Sequence, residues 1–181
     1  MEAETERYMS DINNSVYDSI YKRRSIRKYT NKEVSNEDIK KLLKAGMNAP
    51  SAHNLKPYDL IVVQNKETLK MLADVGTYSK MLYEANAAIV VCSSADDKET
   101  PYWEADCGAV TENILLEATS LGIGTCWIGG YPNIEKTAKE KIILGIPENY
   151  ELFCLIAIGY PAEEKRVNDH YYEEKVYYEK F

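Results

Sequence analysis

Apolar positions along this chain follow two rhythms, one helical and one extended. Ile39, Leu42, Leu43 and Met47 recur at helical spacing behind Ser35, which reads as an N-cap with the acidic Asp38 three residues on. Residues 36–48 are therefore predicted as an amphipathic helix, stopped by Pro50. Residues 59–64 (Asp-Leu-Ile-Val-Val-Gln) predict a strand, and 66–75 a helix closed by Gly76. The run 87–93 is apolar up to its last residue, Ser93, which marks a strand buried on both faces. The longest predicted helix spans about 102 to 121: Cys107, Val110, Ile114, Ala118 and Leu121 form one stripe, Leu115 and Leu116 widen it, and Gly122 follows as a cap. It carries more apolar surface than one sheet face needs, which points to a buried or intersubunit position. A helix over 14–22, a strand over 125–128, a helix over 133–144 and a central strand over 152–158 complete the set. One α+β domain over residues 1–181 fits this succession.

The chain has 181 residues, enough for one real core and short for two. Its longest apolar runs, 87–92 and 152–158, fall far below the roughly 20 residues of a membrane span. The acidic start (Met1-Glu2-Ala3-Glu4-Thr5-Glu6) is the opposite of a secretory signal. A cytoplasmic protein without membrane contact is expected. The cysteines at 92, 107, 126 and 154 form no close pair, and only two histidines accompany them, so no metal site is assigned. Small buried hydrophobes in a reducing compartment is the reading they support. The charged tail, 162–181, holds Tyr171, Tyr172, Tyr177 and Tyr178. Disordered tails are aromatic-poor, so this one is expected to lie against something, a second subunit being the natural surface.

Charge changes the picture at one place. Lys22-Arg23-Arg24-Ser25-Ile26-Arg27-Lys28 gathers five cations in a chain whose net charge is −7. Such overall acidity argues against nucleic acid, and the cluster reads as a seat for one compact anion, a phosphate above all. The plainer alternative, cations complementing a helix C-terminus, accounts for Lys22 and Arg23 but not for Ser25 or Arg27. A second segment, Ala49-Pro50-Ser51-Ala52-His53-Asn54-Leu55-Lys56-Pro57-Tyr58, offers a carboxamide suited to the edge of a heterocycle, or else is a loop whose polar groups satisfy its own backbone. The third, Gly122-Ile123-Gly124-Thr125-Cys126-Trp127-Ile128-Gly129-Gly130-Tyr131, imitates a dinucleotide fingerprint. Trp127 replaces its third glycine, however, and the order helix-then-strand is reversed, which rejects a Rossmann site. Gly129-Gly130 would let backbone approach a flat ligand, or simply turn the chain. No nucleophile elbow or metal-protease motif occurs. Glu104 and Asp106 read as first-turn anions of the long helix. A chain without its own nucleophile or strong acid–base group points to a cofactor.

Taken in order, the R-R-S-x-R opening, the A-P-S-A-x-N-x-x-P-[WY] loop, the L-G-x-G-x-x-W-I-G-G segment and the closing I-G-Y-P-A-E-E resemble the nitroreductase family of FMN-dependent oxidoreductases. The resemblance covers residues 15 to 181. It implies a nitroreductase-like α+β fold, a central, mainly antiparallel sheet flanked by helices in three layers (α/β/α), and a homodimer with FMN at the subunit interface. By motif match, Arg23, Arg24 and Ser25 would hold the FMN phosphate and ribityl chain, and Arg27 would approach the N1/C2=O edge. Pro50, Ser51, Ala52 and Asn54 would reach the flavin of the other subunit, Ile128, Gly129 and Gly130 would lie beside its dimethylbenzene–N5 side, and Lys165 and Arg166 fall near a second phosphate-binding pair. No side chain is assigned a catalytic role, since hydride passes through flavin N5.

The implied activity is NAD(P)H oxidation coupled, in ping-pong order, to reduction of nitroaromatics, quinones or related acceptors. The alternatives are specialised flavin chemistry (dehalogenation, flavin fragmentation, azoline oxidation), for which Tyr78, Tyr83 or Tyr102 could supply a polar group, and a flavin-storing or sensing protein. Departures from the pattern are Lys56 in place of glutamine, Tyr58 in place of tryptophan, Gly129 where many members carry glutamate, and the compact Glu163-Glu164 before Lys165.

Overall fold

The structure is a computed structural model that describes residues 15–94, 101–167 and 169–181. The acidic start and residue 14 of the first predicted helix lie outside the described residues. Helices α1 (Ser15–Lys22), α2 (Asn36–Met47), α3 (Lys66–Val75), α4 (Trp103–Ser120) and α5 (Ile134–Leu144) alternate with strands β1 (Asp59–Val63), β2 (Ala87–Ser94), β3 (Gly124–Gly129) and β4 (Tyr150–Gly159). Short 3-10 segments cover Ala52–Asn54, Thr77–Tyr83 and Glu173–Lys175.

Local chemistry sets several of these boundaries. Ser35 Oγ accepts from the Asp38 N–H at 3.0 Å, so α2 begins at its predicted cap. Asn65 and Asn133 cap α3 and α5 in the same way, accepting from Thr68 N–H at 3.0 Å and Lys136 N–H at 3.1 Å. The long helix ends at Ser120 with Leu121 as its C-cap, and Gly122 adopts the left-handed φ of 70° expected after a helix end.

The four strands form one antiparallel sheet in the order β1-β2-β4-β3. Because side chains alternate across a strand, β2 feeds both faces. Ala88, Val90 and Cys92 join Leu69, Leu72, Ala73, Met81 and Leu82 on one side. Ala87, Ile89 and Val91 join Ile39, Leu42, Cys107, Val110 and Ile114 on the other. Helices therefore cover both faces, α3 on the first and α2 with α4 on the second, giving the three-layer α+β arrangement. The surplus apolar surface of α4 is met inside the chain: it packs on α1 and α2 as well as on the sheet. All four cysteines are free and buried. Among the described residues, no helix is long and apolar enough to cross a membrane.

One irregularity bears on function. Between β2 and β4 the register shifts, Val91 facing Cys154 and Cys92 facing Leu152, so Phe153 is an extra residue in β4. Such a bulge redirects the strand. Its carbonyl accepts from both Gly130 N–H at 3.0 Å and Tyr131 N–H at 3.1 Å, tying the end of β3 to the bulge.

Candidate functional site

The basic segment after α1 runs along the edge of the sheet. Ser25 bridges Thr125 of β3, Ile26 N–H donates to Thr125 O at 2.8 Å, and Tyr29 bridges Pro161 just beyond β4. This approach requires a glycine: a Cβ on Gly124 would stand 2.9 Å from Ile26 Cβ. Gly124 of the fingerprint-like segment thus serves to seat residue 26, Gly122 turns the chain after the helix, and the segment leads from a helix into a strand.

The same geometry brings the two ends of the sequence together. Arg24 Nε donates to Arg166 O at 2.6 Å, and Lys165 Nζ to Ser25 O at 2.7 Å. Arg23 Nε lies 3.5 Å from Glu112 Oε1 on α4. Burial raises the Glu112 carboxyl pKa, and Arg23 opposes that shift. Arg27 N–H donates to Glu163 Oε1 at 2.6 Å, the first cause of a lowered Glu163 pKa. Five of the predicted residues, Arg23, Arg24, Ser25, Lys165 and Arg166, therefore share one corner. Arg24 is its most telling member. Its Nη1 is held by Arg23 O, while Nη2 is buried and has no hydrogen-bond partner. Burial, and then the charge of Arg23, push the Arg24 pKa below its ordinary value. A bound anion would answer both the idle donor and the crowded charge.

Next to this corner opens a cavity of about 910 Å³, lined in part by Arg27, Lys80, Cys126, Ile128, Gly129 and Lys136. Arg27 thus lines the cavity, as does Lys28, while Arg23, Arg24 and Ser25 belong to the anion corner. Nothing lies within 4 Å of where a Gly129 Cβ would be, so the missing side chain leaves open space. Gly130 has the opposite reason for being glycine. A Cβ there would stand 2.7 Å from Leu152 Cδ2 and 2.9 Å from the carbonyl oxygens of Leu152 and Phe153.

The loop after α2 stands apart. Among the described residues of 50–58, none lines this cavity. Its backbone is unusual: His53, Asn54 and Lys56 have φ of 51°, 57° and 51°, left-handed conformations that cost energy in non-glycine residues and concentrate at functional sites. Ser51 Oγ accepts from Lys56 N–H at 2.9 Å, and Ala52 N–H donates to Asp106 Oδ1 at 2.9 Å. Asn54 and His53 are left exposed. Of the tyrosines named as possible polar groups, Tyr78 lines the cavity, Tyr83 lines a different one beside Asn36 and Asn86, and Tyr102 is exposed at the start of α4.

The model of the family described as "Putative TM nitroreductase" matches residues 15–179. A protein of Archaeoglobus fulgidus described as "Putative NADH dehydrogenase/NAD(P)H nitroreductase" is 46% identical over 167 residues, covering 90% of this chain and 96% of that one. The chain belongs to the nitroreductase family. Among solved structures, an FMN-dependent nitroreductase of Clostridium difficile superimposes with a TM-score of 0.85 at 34% identity, covering 91% of this chain and 99% of that one. A Desulfovibrio desulfuricans member, solved in complex with FMN, gives a TM-score of 0.80 at 28% identity and covers 94% and 99% of the two chains.

Three members of the site escaped the sequence reading. Asp106 is not merely a first-turn anion of α4: it is buried, clamps the loop at Ala52, and keeps Oδ2 without a partner. Lys136 reaches from α5 to Gly129, and Lys80 comes from the 3-10 segment Thr77–Tyr83, which has no apolar periodicity to announce it. Neither lysine stands in a recognisable motif; only the fold brings them to the cavity.

Proposed function

We propose that this nitroreductase-family chain binds FMN as a homodimer and acts as a cytoplasmic NAD(P)H oxidoreductase. The observation that carries this reading is the buried, unpartnered Nη2 of Arg24, set among Arg23, Ser25, Lys165 and Arg166 beside a cavity of about 910 Å³. These five residues would hold the phosphate and the ribityl chain. Arg27, on the cavity wall, would place a fixed cation at the N1/C2=O edge, where charge develops on reduction. Ile128 and Gly129, which line the cavity, and Gly130 next to them would lie beside the dimethylbenzene–N5 side of the flavin. Pro50, Ser51, Ala52 and Asn54 would arrive from a second copy, which accounts for a strained loop lying away from the cavity of its own chain. Val16 and Ile20 on α1, Leu55 in the loop and the tyrosines of the tail are exposed apolar surface of the kind a partner covers. The tail from residue 162 onward would pack on that partner.

When bound, FMN would supply two-electron chemistry between NADH or NADPH and a nitroaromatic, quinone or related acceptor. Donor and acceptor would use one cavity in turn, so parallel double-reciprocal lines are expected with menadione as acceptor. Arg24→Ala tests the anion corner. Charge-assisted bonds of about 1.5–3 kcal/mol would be lost, so FMN affinity should fall at least roughly tenfold while the fold persists. Undiminished FMN affinity in that variant overturns the phosphate assignment.

A further inference from the structure

Lys136 occupies an unusual position for a lysine. It stands in the first turn of α5, lines the cavity, and has only 15% of its side chain exposed. Its stem passes close to Gly76, where an added Cβ would meet Lys136 Cε at 3.2 Å. Its Nζ donates to Gly129 O at 2.6 Å and lies 3.1 Å from Glu140 Oε1. Glu140 is wholly buried, and neither of its oxygens has an aligned hydrogen bond, so the contact is one of charge. Burial raises the Glu140 carboxyl pKa, and Lys136 opposes the shift.

Both polar ends of the peptide between Gly129 and Gly130 are then engaged. Its carbonyl is held by Lys136, and its N–H donates to the bulge carbonyl, Phe153 O, at 3.0 Å. A diglycine turn has no side chains to fix its orientation and would otherwise be loose. Surface lysines seldom surrender their hydration; one held between a carbonyl and a buried carboxylate does so because the site is built for it.

We propose that Lys136, with Glu140 as its buried counter-charge, is the positioning residue that fixes the Gly129–Gly130 peptide and so the part of the cavity floor that Gly129 forms. The expected consequence for FMN affinity rests on the flavin reading above; the fixing of the floor does not. Removing one partner of a buried pair is the damaging change, whereas replacing both by apolar groups is close to neutral. The test therefore uses the double variant Lys136→Met/Glu140→Leu. Its melting temperature should stay near that of the parent, and Lys136→Met alone should fall well below both. In flavin-free protein, amide exchange at Gly130 in the double variant should rise roughly tenfold or more, the loss expected for a charge-assisted bond. FMN affinity should fall by a similar factor. Unchanged Gly130 exchange overturns the proposal, whatever the affinity does. If the parent takes no FMN, the flavin reading fails and the exchange measurement still decides the role of Lys136. Should the double variant not fold, Glu140→Gln decides: with its counter-charge gone, Lys136 holds Gly129 O less well, so Gly130 exchange should rise above the parent by more than that of the β2 amides, and Gly130 exchange unchanged from the parent overturns the proposal.

Discussion

Adjacent glycines at the end of β3 should respond in opposite ways to the same methyl group. A Cβ on Gly130 would stand 2.9 Å from Leu152 O and from Phe153 O, and 2.7 Å from Leu152 Cδ2. The leucine side chain can swing aside; the carbonyls cannot, because they belong to β4 at its bulge, in the middle of the sheet. Gly130→Ala must therefore displace backbone, and overpacking of this kind costs about 1–3 kcal/mol. At roughly 2–4 °C per kcal/mol for a chain of this size, its melting temperature should drop by about 4–8 °C for a mid-range cost. Gly129→Ala meets nothing within 4 Å, and its φ is not left-handed. Its stability should match the parent or rise slightly, by the ~0.4–1 kcal/mol that a compatible Gly→Ala change gains through the unfolded chain. Thermal unfolding followed by circular dichroism, with both variants flavin-free so that ligand linkage does not enter, reads the difference. A Gly130→Ala melt within 1 °C of the parent, by this ~1–3 kcal/mol scale, or a Gly129→Ala loss as large as that of Gly130→Ala, would refute the reasoning.

Three further outcomes are expected. Asp106→Ala leaves the Ala52 N–H without its buried acceptor, a loss of about 1–3 kcal/mol visible in chemical denaturation, while Asp106→Asn keeps an acceptor there; equal losses in the two would show that Asp106 does not hold the loop. Burial pushes the thiols of Cys92 and Cys154 up to about 12, the ionised form being the one that pays for lost solvent. At pH 8 only about one thiol in 10⁴ would be thiolate, so both should label with a thiol reagent only after urea unfolding, and fast labelling of the native protein would contradict their burial. Truncation after Val167 removes four exposed tyrosines and Phe181 while leaving Lys165 and Arg166. Light scattering should show the proposed dimer dissociating at higher concentration than in the full chain, and an equally tight dimer would remove the tail from the interface.

Local signals in the sequence carried the fold a long way. The cap at Ser35, the apolar run of β2 and the stripe on α4 are short-range patterns, and each lies where it was expected. β4 begins at Tyr150, two residues before its predicted start, because Glu151 interrupts the apolar run and yet pairs with Ser93 of β2. The 3-10 segment Thr77–Tyr83 was not foreseen: its residues are polar and tyrosine-rich, and what orders it is the burial of Ser79, Met81 and Leu82 against the rest of the chain. The site was legible as segments and illegible as a geometry. The basic cluster, the loop and the diglycine could be picked out individually, yet nothing local said that Arg24 would meet Arg166 across 142 residues. Asp106 looked like a helix-start anion because dipole and clamp call for the same residue type. Nothing in the sequence singles out Lys136, since its spacing to Glu140 is that of any exposed helix pair; only the tertiary burial of Glu140 distinguishes it.

The central claim is that Arg23, Arg24, Ser25, Lys165 and Arg166 form the phosphate end of a flavin site. Its most direct test is to heat-release and quantify the chromophore of purified protein reconstituted with FMN, run beside riboflavin as a control that shares the ring and lacks the phosphate. The protein should retain close to one FMN per chain and little riboflavin. Failure to retain FMN, or equal retention of both, would contradict the claim.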